Sequence, residues 1–151
     1  MSDYADNVWV ELEDMGDGIS GMRLRREEGA RLVAAVWELA PGSSGVQHHF
    51  HHGIEELLVV LRGRPLLRAA GGERRLDEGE VVHFPPGPEG AHSLSNPTDE
   101  PVRYLMAGAR ADAPLDIIEY LDEGTFVAYA KTNSQRGEPF FVRRAIDEPD
   151  A

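Results

Sequence analysis

The stretch that decides the fold reads Gln47-His48-His49-Phe50-His51-His52-Gly53-Ile54-Glu55-Glu56. It holds four of the six histidines of the chain, and the other two follow as His83 and His92. Residues two apart on a β-strand point to the same face of the strand, so His49 and His51 share one face. The sequence therefore predicts two imidazoles presented together by one short strand.

A carboxylate and a further imidazole follow this strand at short distances in the sequence. Residues 52–54 can turn the chain, and Glu56 then opens an apolar strand. If that strand is the antiparallel neighbour of the histidine strand, Glu56 can meet the two imidazoles at one metal ion, and His92 can supply a fourth ligand. Mixed nitrogen and oxygen donors suit a borderline divalent metal. The alternative is an exposed His-rich turn that does nothing or binds adventitious metal.

The composition narrows the chemistry of such a site. The chain contains no cysteine, which excludes disulfides, thiolate metal ligands and cysteine nucleophiles. Lys131 is the only lysine, so a Schiff-base mechanism has a single, poorly placed candidate. Any metal must therefore be held by imidazole nitrogens and carboxylate oxygens.

Charge and length limit the class of protein. The formal net charge of -12 argues against nucleic acid and anionic membrane surfaces as partners, since both require a cationic face. The 151 residues, 41% of them hydrophobic, predict a single domain over residues 1–151. Residues 1–7 lack the apolar run of a secretory signal, and no stretch approaches the ~20 apolar residues of a membrane span. We expect a cytoplasmic protein.

Short β-type runs separated by turn residues fill most of the chain. The 16 glycines and 10 prolines recur every few residues, and long helical periodicity is missing, which predicts an all-β sandwich or barrel. Predicted strands cover residues 8–12, 32–39, 56–61, 65–69, 81–84 and 102–107. Residues 62–64 are predicted as a hairpin turn and 70–73 as a second turn. Residues 116–121 fit a short helix or a strand, and the chain from 131 onward is expected to be partly extended with a mobile acidic end.

The histidine-rich stretch resembles motif 1 of the cupins, commonly written G-x5-H-x-H-x3,4-E-x6-G. His49-Phe50-His51 supplies the H-x-H, four residues precede Glu56, and six more precede Gly63. The leading glycine is displaced, because Gly42 and Gly45 lie near its register but not in it. The spacing to Gly63 favours Glu56 over Glu55, which is expected at a solvated edge.

A second segment is similar to cupin motif 2, commonly written G-x5-P-x-G-x2-H-x3-N. Gly79, Pro85-Pro86-Gly87, His92 and Asn96 match it in order. Here four residues, rather than two, separate Gly87 from His92, and their turn-like composition predicts a longer loop. We expect positive φ angles at the turn positions Gly63 and Gly79. The two motifs occur in the expected order over about residues 39–106.

The resemblance implies a double-stranded β-helix barrel with one divalent metal ion at its centre. It implies four ligands: His49, His51, Glu56 and His92. The ion would be Fe, Mn, Ni, Zn, Co or Cu, with iron slightly favoured. Three neutral imidazoles and one carboxylate would leave a divalent ion with one net positive charge.

The remaining candidate residues have more ordinary interpretations. The three histidines His48, His52 and His83 are expected to point away from the site or to lie on the surface. Core packing is the expected role of most of the residues Trp37, Phe50, Phe84, Tyr104 and Met106, although some of them could line a pocket. Solvated strand edges are expected for Arg62, Arg64, Arg68 and Arg103, although these could recruit an anionic substrate.

The functional expectation is a mononuclear metalloenzyme that acts on a small organic molecule. An oxygenase is expected first, because the ligand set leaves coordination positions for oxygen and substrate. A metal-dependent isomerase, lyase or hydrolase, and a non-catalytic ligand-binding or sensor protein, are the alternatives. The sequence identifies no catalytic residue. A homodimer that exchanges terminal strands is expected, since strand edges would otherwise be exposed.

Overall fold

Antiparallel β-structure dominates the computed structural model, which describes residues 4–27, 30–110, 115–130 and 140–146. Within these residues there are thirteen strands and a single 3₁₀ turn, at Pro88–Gly90. The first seven strands are β1 (Glu13–Gly16), β2 (Ile19–Arg23), β3 (Leu32–Leu39), β4 (His49–His51), β5 (Ile54–Arg62), β6 (Leu66–Ala69) and β7 (Gly72–Arg75). The other six are β8 (Val81–Phe84), β9 (His92–Ser95), β10 (Val102–Arg110), β11 (Leu115–Tyr120), β12 (Thr125–Ala130) and β13 (Phe140–Ala145). The all-β prediction is confirmed, and residues 116–121 belong mainly to a strand.

The strands form two sheets between which the chain passes repeatedly. The six-stranded sheet has the order β1-β2-β3-β10-β5-β8, and the seven-stranded sheet has the order β13-β12-β11-β4-β9-β6-β7. From β3 to β11 the chain changes sheet after every strand except β6, which forms a hairpin with β7. This winding confirms the predicted double-stranded β-helix.

The core fills the space between the two sheets. Both sheets contribute to one cluster of buried side chains: Leu39, Leu58, Val60, Leu67, Leu76, Phe84, Leu94, Val102 and Tyr104. The ring of Phe84 stacks on that of His92 with centroids 3.8 Å apart, so the core ends directly against a predicted metal ligand. Asn96 is also buried, and its amide donates hydrogen bonds to the carbonyls of Leu39 (2.9 Å) and Glu100 (2.8 Å).

The predicted strand over residues 8–12 is wrong. This segment forms turns and irregular backbone, and its carbonyl groups do not pair with a neighbouring strand. Arg103 of β10 satisfies two of them, donating from Nη1 to the carbonyl oxygens of Val8 (3.0 Å) and Val10 (3.1 Å). The strand composition is therefore that of a segment held by one arginine side chain.

The predicted hairpin at residues 62–64 is also wrong. β5 pairs with β10 and β8, whereas β6 pairs with β7 and β9, so these residues carry the chain from one sheet to the other. Gly63 has φ +84°, and a Cβ there would lie 3.0 Å from the carbonyl oxygen of Pro101. Gly79 has φ +86°. The positive φ angles expected at these two glycines are confirmed.

Some expectations lie beyond what the structure tests. Residues 131–139 and 147–151 are outside the described residues, so the expected mobile acidic end is not addressed, although β13 is extended. The single domain over residues 1–151 and the cytoplasmic location stay predictions. No helix in the described part of the chain has the length and apolar character needed to cross a membrane.

Candidate metal centre

The fold brings the four predicted metal ligands to one place from two different sheets. β4 lies between β11 and β9, and His49 on β4 is directly opposite His92, the first residue of β9. Glu56 lies on β5, in the six-stranded sheet. The prediction that the carboxylate strand is the antiparallel neighbour of the histidine strand is therefore wrong. Because the chain changes sheet at residues 52–53, Glu56 approaches the imidazoles from the facing sheet.

The distances among these side chains suit a shared ion. One nitrogen each of His49 and His51 and a carboxylate oxygen of Glu56 all lie within 4.8 Å of one another. The Nε2 atoms of His92 and His51 lie 3.3 and 3.5 Å from Glu56 Oε2. The ring of His49 lies 4.6 Å from that of His92 and 5.2 Å from that of His51, measured between centroids. The side chains therefore surround a common point, and their binding of a metal there stays a prediction.

Each of the three imidazoles has its outer nitrogen fixed by a hydrogen bond. Nδ1–H of His49 donates to the carbonyl of Gln47 (2.7 Å), and Nδ1–H of His92 donates to the carbonyl of Gly90 (2.8 Å). A carbonyl oxygen only accepts hydrogen bonds, so Nδ1 must carry the proton in both rings. In the neutral tautomer the Nε2 lone pair is then free to face the common point, as a metal ligand requires.

The third imidazole is fixed by a carboxylate that sequence reasoning missed. His51 Nδ1 lies 2.6 Å from Asp116 Oδ2, on β11. The other oxygen of Asp116 accepts a hydrogen bond from the backbone N–H of Gly53 (3.0 Å). A carboxylate behind a ligating histidine holds the ring and increases its basicity. The sequence signal was the alternation of Asp116, Ile118 and Tyr120, which emerges only when residues 116–121 are taken as a strand.

The environment favours neutral imidazoles at two of the three histidine positions. Burial lowers the pKa of His49 to about 4 and that of His92 to about 3. Burial also acts to lower the pKa of His51, but the hydrogen bond with Asp116 and the negative charges of Glu56 and Asp116 outweigh it and raise that pKa. Burial raises the pKa of Glu56, although the nearby His51 opposes this.

Glu56 Oε2 has the environment of a ligand without a protein partner. The atom is buried and accepts no hydrogen bond within the described residues, although the two Nε2 atoms are close to it. Those nitrogens have no proton to donate while Nδ1 carries it. An oxygen buried in this way is costly unless a cation compensates it. The donor set therefore fits a divalent ion bound by imidazole nitrogens and one carboxylate.

A cavity of about 230 Å³ opens onto the four side chains. Its other walls are Trp37, Val46, Ser93, Leu94, Tyr104, Met106, Ile118 and Tyr120. Trp37 and Met106 also pack against the core, whereas Phe50 and Phe84 are buried away from the cavity. Burial raises the pKa of the phenols of Tyr104 and Tyr120, so both keep their protons at neutral pH.

The other histidines and Glu55 lie outside this centre. Glu55 is exposed and lies 3.0 Å from His83 on the outside of the six-stranded sheet. His52 lies 2.6 Å from Glu119. His48 lines a different cavity, of about 270 Å³, together with Arg68 and Asp122. It is buried, contrary to a surface position, and its Nδ1 has no hydrogen-bond partner in the described part of the chain.

The four arginines considered as substrate-recruiting residues are paired with carboxylates. Arg62 and Arg103 both contact Glu38, at 3.1 and 2.9 Å. The remaining two pairs are Arg64 with Asp77 at 2.7 Å and Arg68 with Asp122 at 2.6 Å. Arg62, Arg64 and Arg68 are solvated, as expected, whereas the Arg103 side chain is only 11% exposed.

Comparison with known proteins agrees with this geometry. The family model described as "Cupin domain" matches residues 35–108, which include all four predicted ligands. None of the curated proteins matches the sequence significantly. The chain therefore belongs to the cupin superfamily, as a small cupin 2-like domain.

Solved structures with the same fold span several stated activities. A sugar phosphate isomerase of the cupin superfamily from Silicibacter pomeroyi is 27% identical, with 85% of this chain and 78% of that chain covered and a TM-score of 0.71. A cupin 2 conserved barrel domain protein from Salinispora arenicola is 28% identical, covering 67% and 82%, with a TM-score of 0.55. A predicted oxalate decarboxylase from Thermotoga maritima is 24% identical, covering 61% and 80%, with a TM-score of 0.56, and shows the fold alone.

Proposed function

We propose that this protein is a mononuclear metal-dependent enzyme that acts on a small organic molecule. The observation that carries the proposal is the locking of three imidazoles at Nδ1, with their Nε2 atoms turned toward the one unpaired oxygen of Glu56. A non-catalytic barrel has no need for such an arrangement at the end of a cavity. The proposed ligands are His49, His51, Glu56 and His92.

The residues around the centre have distinct roles in this proposal. A divalent ion held by the four ligands would supply Lewis-acid or redox chemistry to a substrate oxygen. Asp116 and the carbonyl of Gln47 keep the histidine rings oriented. Trp37 and Ile118 limit the access of water. Tyr120, whose ring centroid lies 5.8 Å from that of His49, keeps its phenolic proton and can donate it to a substrate oxygen.

Oxidation by dioxygen is the first candidate reaction. Four protein ligands leave coordination positions for a substrate and oxygen on an ion that accepts six ligands. The cavity beside the centre is lined mainly by apolar side chains, which suits an organic substrate rather than bulk water. A dioxygenase of small molecules is therefore the finer proposal that the sequence also favours.

Isomerisation without a redox step is a second candidate, favoured by a specific observation. The structure from Silicibacter pomeroyi that is 27% identical over most of both chains is described as a sugar phosphate isomerase. An isomerase needs a Lewis acid to polarise an oxygen and a group that exchanges protons with the substrate. The protonated phenol of Tyr120 at the cavity wall can fill the second role.

Metal analysis of the purified protein tests the common part of both candidates. We expect about one divalent ion per chain, and we expect the His49→Ala variant to lose it. His83→Ala is the matched control, because it removes an exposed imidazole that lies outside the centre. A wild-type protein without stoichiometric metal, together with an His49→Ala variant that changes only stability, would overturn the enzyme proposal.

Two assays then separate the reactions. Oxygen consumption with a panel of phenols, diketones and α-keto acids is expected for a dioxygenase. Exchange of substrate carbon-bound hydrogen with deuterium from the solvent, without oxygen uptake, is expected for an isomerase. A metal-loaded protein that binds small molecules but is inactive in both assays would contradict both and would indicate a ligand-binding or sensor role.

A further inference from the structure

A second cavity, of about 290 Å³, adjoins the candidate metal centre from the six-stranded sheet. It shares four wall residues with the first cavity: Trp37, His51, Glu56 and Met106. Its remaining walls are Arg23, Leu24, Arg26, Val33, Ala34, Ala35, Ile54 and Gly108. Two of the predicted metal ligands therefore also form one end of a space that leads to two arginines.

Small residues on adjacent strands create this space. Gly108 on β10 pairs with Glu56 on one side and with Val33 on the other, so these three residues form one row across the sheet. Directly paired residues share a face, and Gly108 contributes no side chain to it. A Cβ at Gly108 would lie 3.1 Å from Ile54 Cγ2. The gap beside Glu56 exists because this position is glycine.

The register places Arg23 on the same face as the cavity. Arg23 on β2 is directly opposite Ala35 on β3, and Ala35 is directly opposite Met106 on β10. Strand spacings of ~4.8 Å put the backbone of Arg23 ~14 Å from that of β5, before the reach of the arginine side chain is subtracted. Arg23 thus lies across the cavity from the metal centre.

These two arginines differ from the others in their lack of a carboxylate partner. Arg23 has no ion pair within the described residues, and Arg26 donates only to the carbonyl of Ala30, at 3.4 Å. By contrast, five other arginines have described carboxylate partners: Arg62, Arg64, Arg68, Arg74 and Arg103. In a chain with 27 acidic residues, the only described carboxylate on the cavity walls is Glu56, at the metal end.

We propose that Arg23 and Arg26 bind the anionic group of the substrate, a phosphate or a carboxylate, while its reactive end reaches the metal centre. This inference rests on the proposed function, because it names the substrate class of the same site. A guanidinium offers paired N–H donors that match two oxygens of either anion. The substrate is thereby a small organic anion, even though the protein as a whole carries net negative charge.

Calorimetric titration of the purified, metal-loaded protein tests this proposal with three matched probes. The probes are glycerol 3-phosphate, glycerate and uncharged glycerol. We expect at least one anionic probe to bind more than tenfold more tightly than glycerol, with an affinity that falls as ionic strength rises. The better anion identifies the phosphate or the carboxylate as the natural group.

Substitutions of the arginines locate the binding. Arg23→Gln and Arg26→Gln are each expected to weaken the preferred anion about tenfold or more without changing metal content or glycerol binding. Arg23 is exposed and unpaired in the described structure, so its substitution leaves the fold intact, and Arg23→Glu extends the series. Arg64→Gln is the matched control, because Arg64 is exposed and lies outside both cavities.

The results separate this proposal from the proposed function. Equal binding of all three probes by wild type and Arg23→Gln, with metal retained, overturns the arginine subsite alone. Anion binding that survives both arginine substitutions but disappears in His49→Ala assigns the anion to the metal and also overturns the subsite. Arginine-dependent binding in a protein that holds no metal supports the subsite and overturns the metalloenzyme proposal.

Discussion

At the scale of single residues, His51 depends on a partner 65 positions away in the sequence, Asp116. Asp116→Ala removes the acceptor of the His51 Nδ1 proton and the acceptor of the Gly53 N–H. Because such partners orient the ligand and increase its basicity, we expect metal affinity to fall 10- to 100-fold. Competition with a chromophoric chelator measures the change.

A matched control for this variant lies on the same two strands. Glu119 on β11 contacts His52 at 2.6 Å, the same distance as in the His51–Asp116 pair, but outside the candidate centre. Glu119→Ala should leave metal affinity at the wild-type level. If the Asp116 and Glu119 variants bind metal equally well, Asp116 has no role in holding the ligand.

The buried histidines predict how stability depends on pH in chelator-treated protein. Burial lowers the pKa of His92 to about 3, below the 6.5 of an exposed histidine. Between these values the unfolded chain binds more protons than the folded chain, so the free energy of unfolding falls as pH decreases from about 6.5 toward 4. Replacing this group in His92→Gln should therefore make the decrease less steep. Urea unfolding at a series of pH values measures both slopes.

The comparison between variants isolates His92 from groups that act in the opposite direction. The raised pKa of His51 adds stability below pH 6.5 that is lost as pH rises through its folded value. This contribution is present in wild type and in His92→Gln alike. His83→Gln, which removes an exposed imidazole, should follow the wild-type curve. Parallel curves for His92→Gln and wild type would show that His92 is not held neutral by burial.

The predicted ligands could be found from the sequence because their spacing is local. His49, His51 and Glu56 fall within eight residues, and alternation on a strand shows which histidines share a face. Asp116 could not be assigned in the same way, because its role depends on β11 pairing with β4, which only the folded chain establishes. The facing position of Glu56 was missed for a related reason: a two-residue turn does not reveal whether the chain stays in one sheet.

At the scale of elements, Arg103 holds the N-terminal segment against β10. Its side chain is 11% exposed and binds the carbonyls of Val8 and Val10 as well as the carboxylate of Glu38. We expect Arg103→Met to lower the free energy of unfolding by about 2 to 3 kcal/mol, because buried polar groups lose charged hydrogen bonds. Denaturation by urea measures the loss.

Arg62 provides the comparison for this prediction, since it contacts the same oxygen of Glu38. Its side chain is 50% exposed, and exposed ion pairs contribute about 1 kcal/mol or less. Arg62→Met should therefore change stability far less than Arg103→Met. Similar losses for the two variants would mean that the carbonyls of the N-terminal segment do not need Arg103.

The elements that the sequence predicted well are those whose side-chain pattern matches one buried face. The run over residues 32–39 is β3 over its full length, and residues 81–84 are β8. Residues 8–12 have a similar pattern but no strand partner, because a side chain 93 positions beyond Val10 takes up the backbone carbonyls instead. The hairpin β1–β2 was missed, since its exposed first strand has no apolar alternation.

At the scale of the whole molecule, we propose the homodimer that the sequence led us to expect. The full chain should elute in gel filtration as two chains of 16.6 kDa each. If the subunits exchange terminal strands, a chain shortened to residues 7–137 should elute as a monomer. An unchanged dimer after shortening would contradict the exchange, and a monomeric full chain would contradict the dimer.

The origin of the candidate ligands in two sheets has a consequence for which ion is bound. Three imidazoles are fixed to the seven-stranded sheet and Glu56 to the six-stranded sheet, so the separation of the sheets sets the size of the space between them. That separation is maintained by buried side chains such as Leu58 and Leu94. Ionic radius and core volume are thereby linked, and the preference among divalent ions becomes a property of hydrophobic packing as well as of ligand identity.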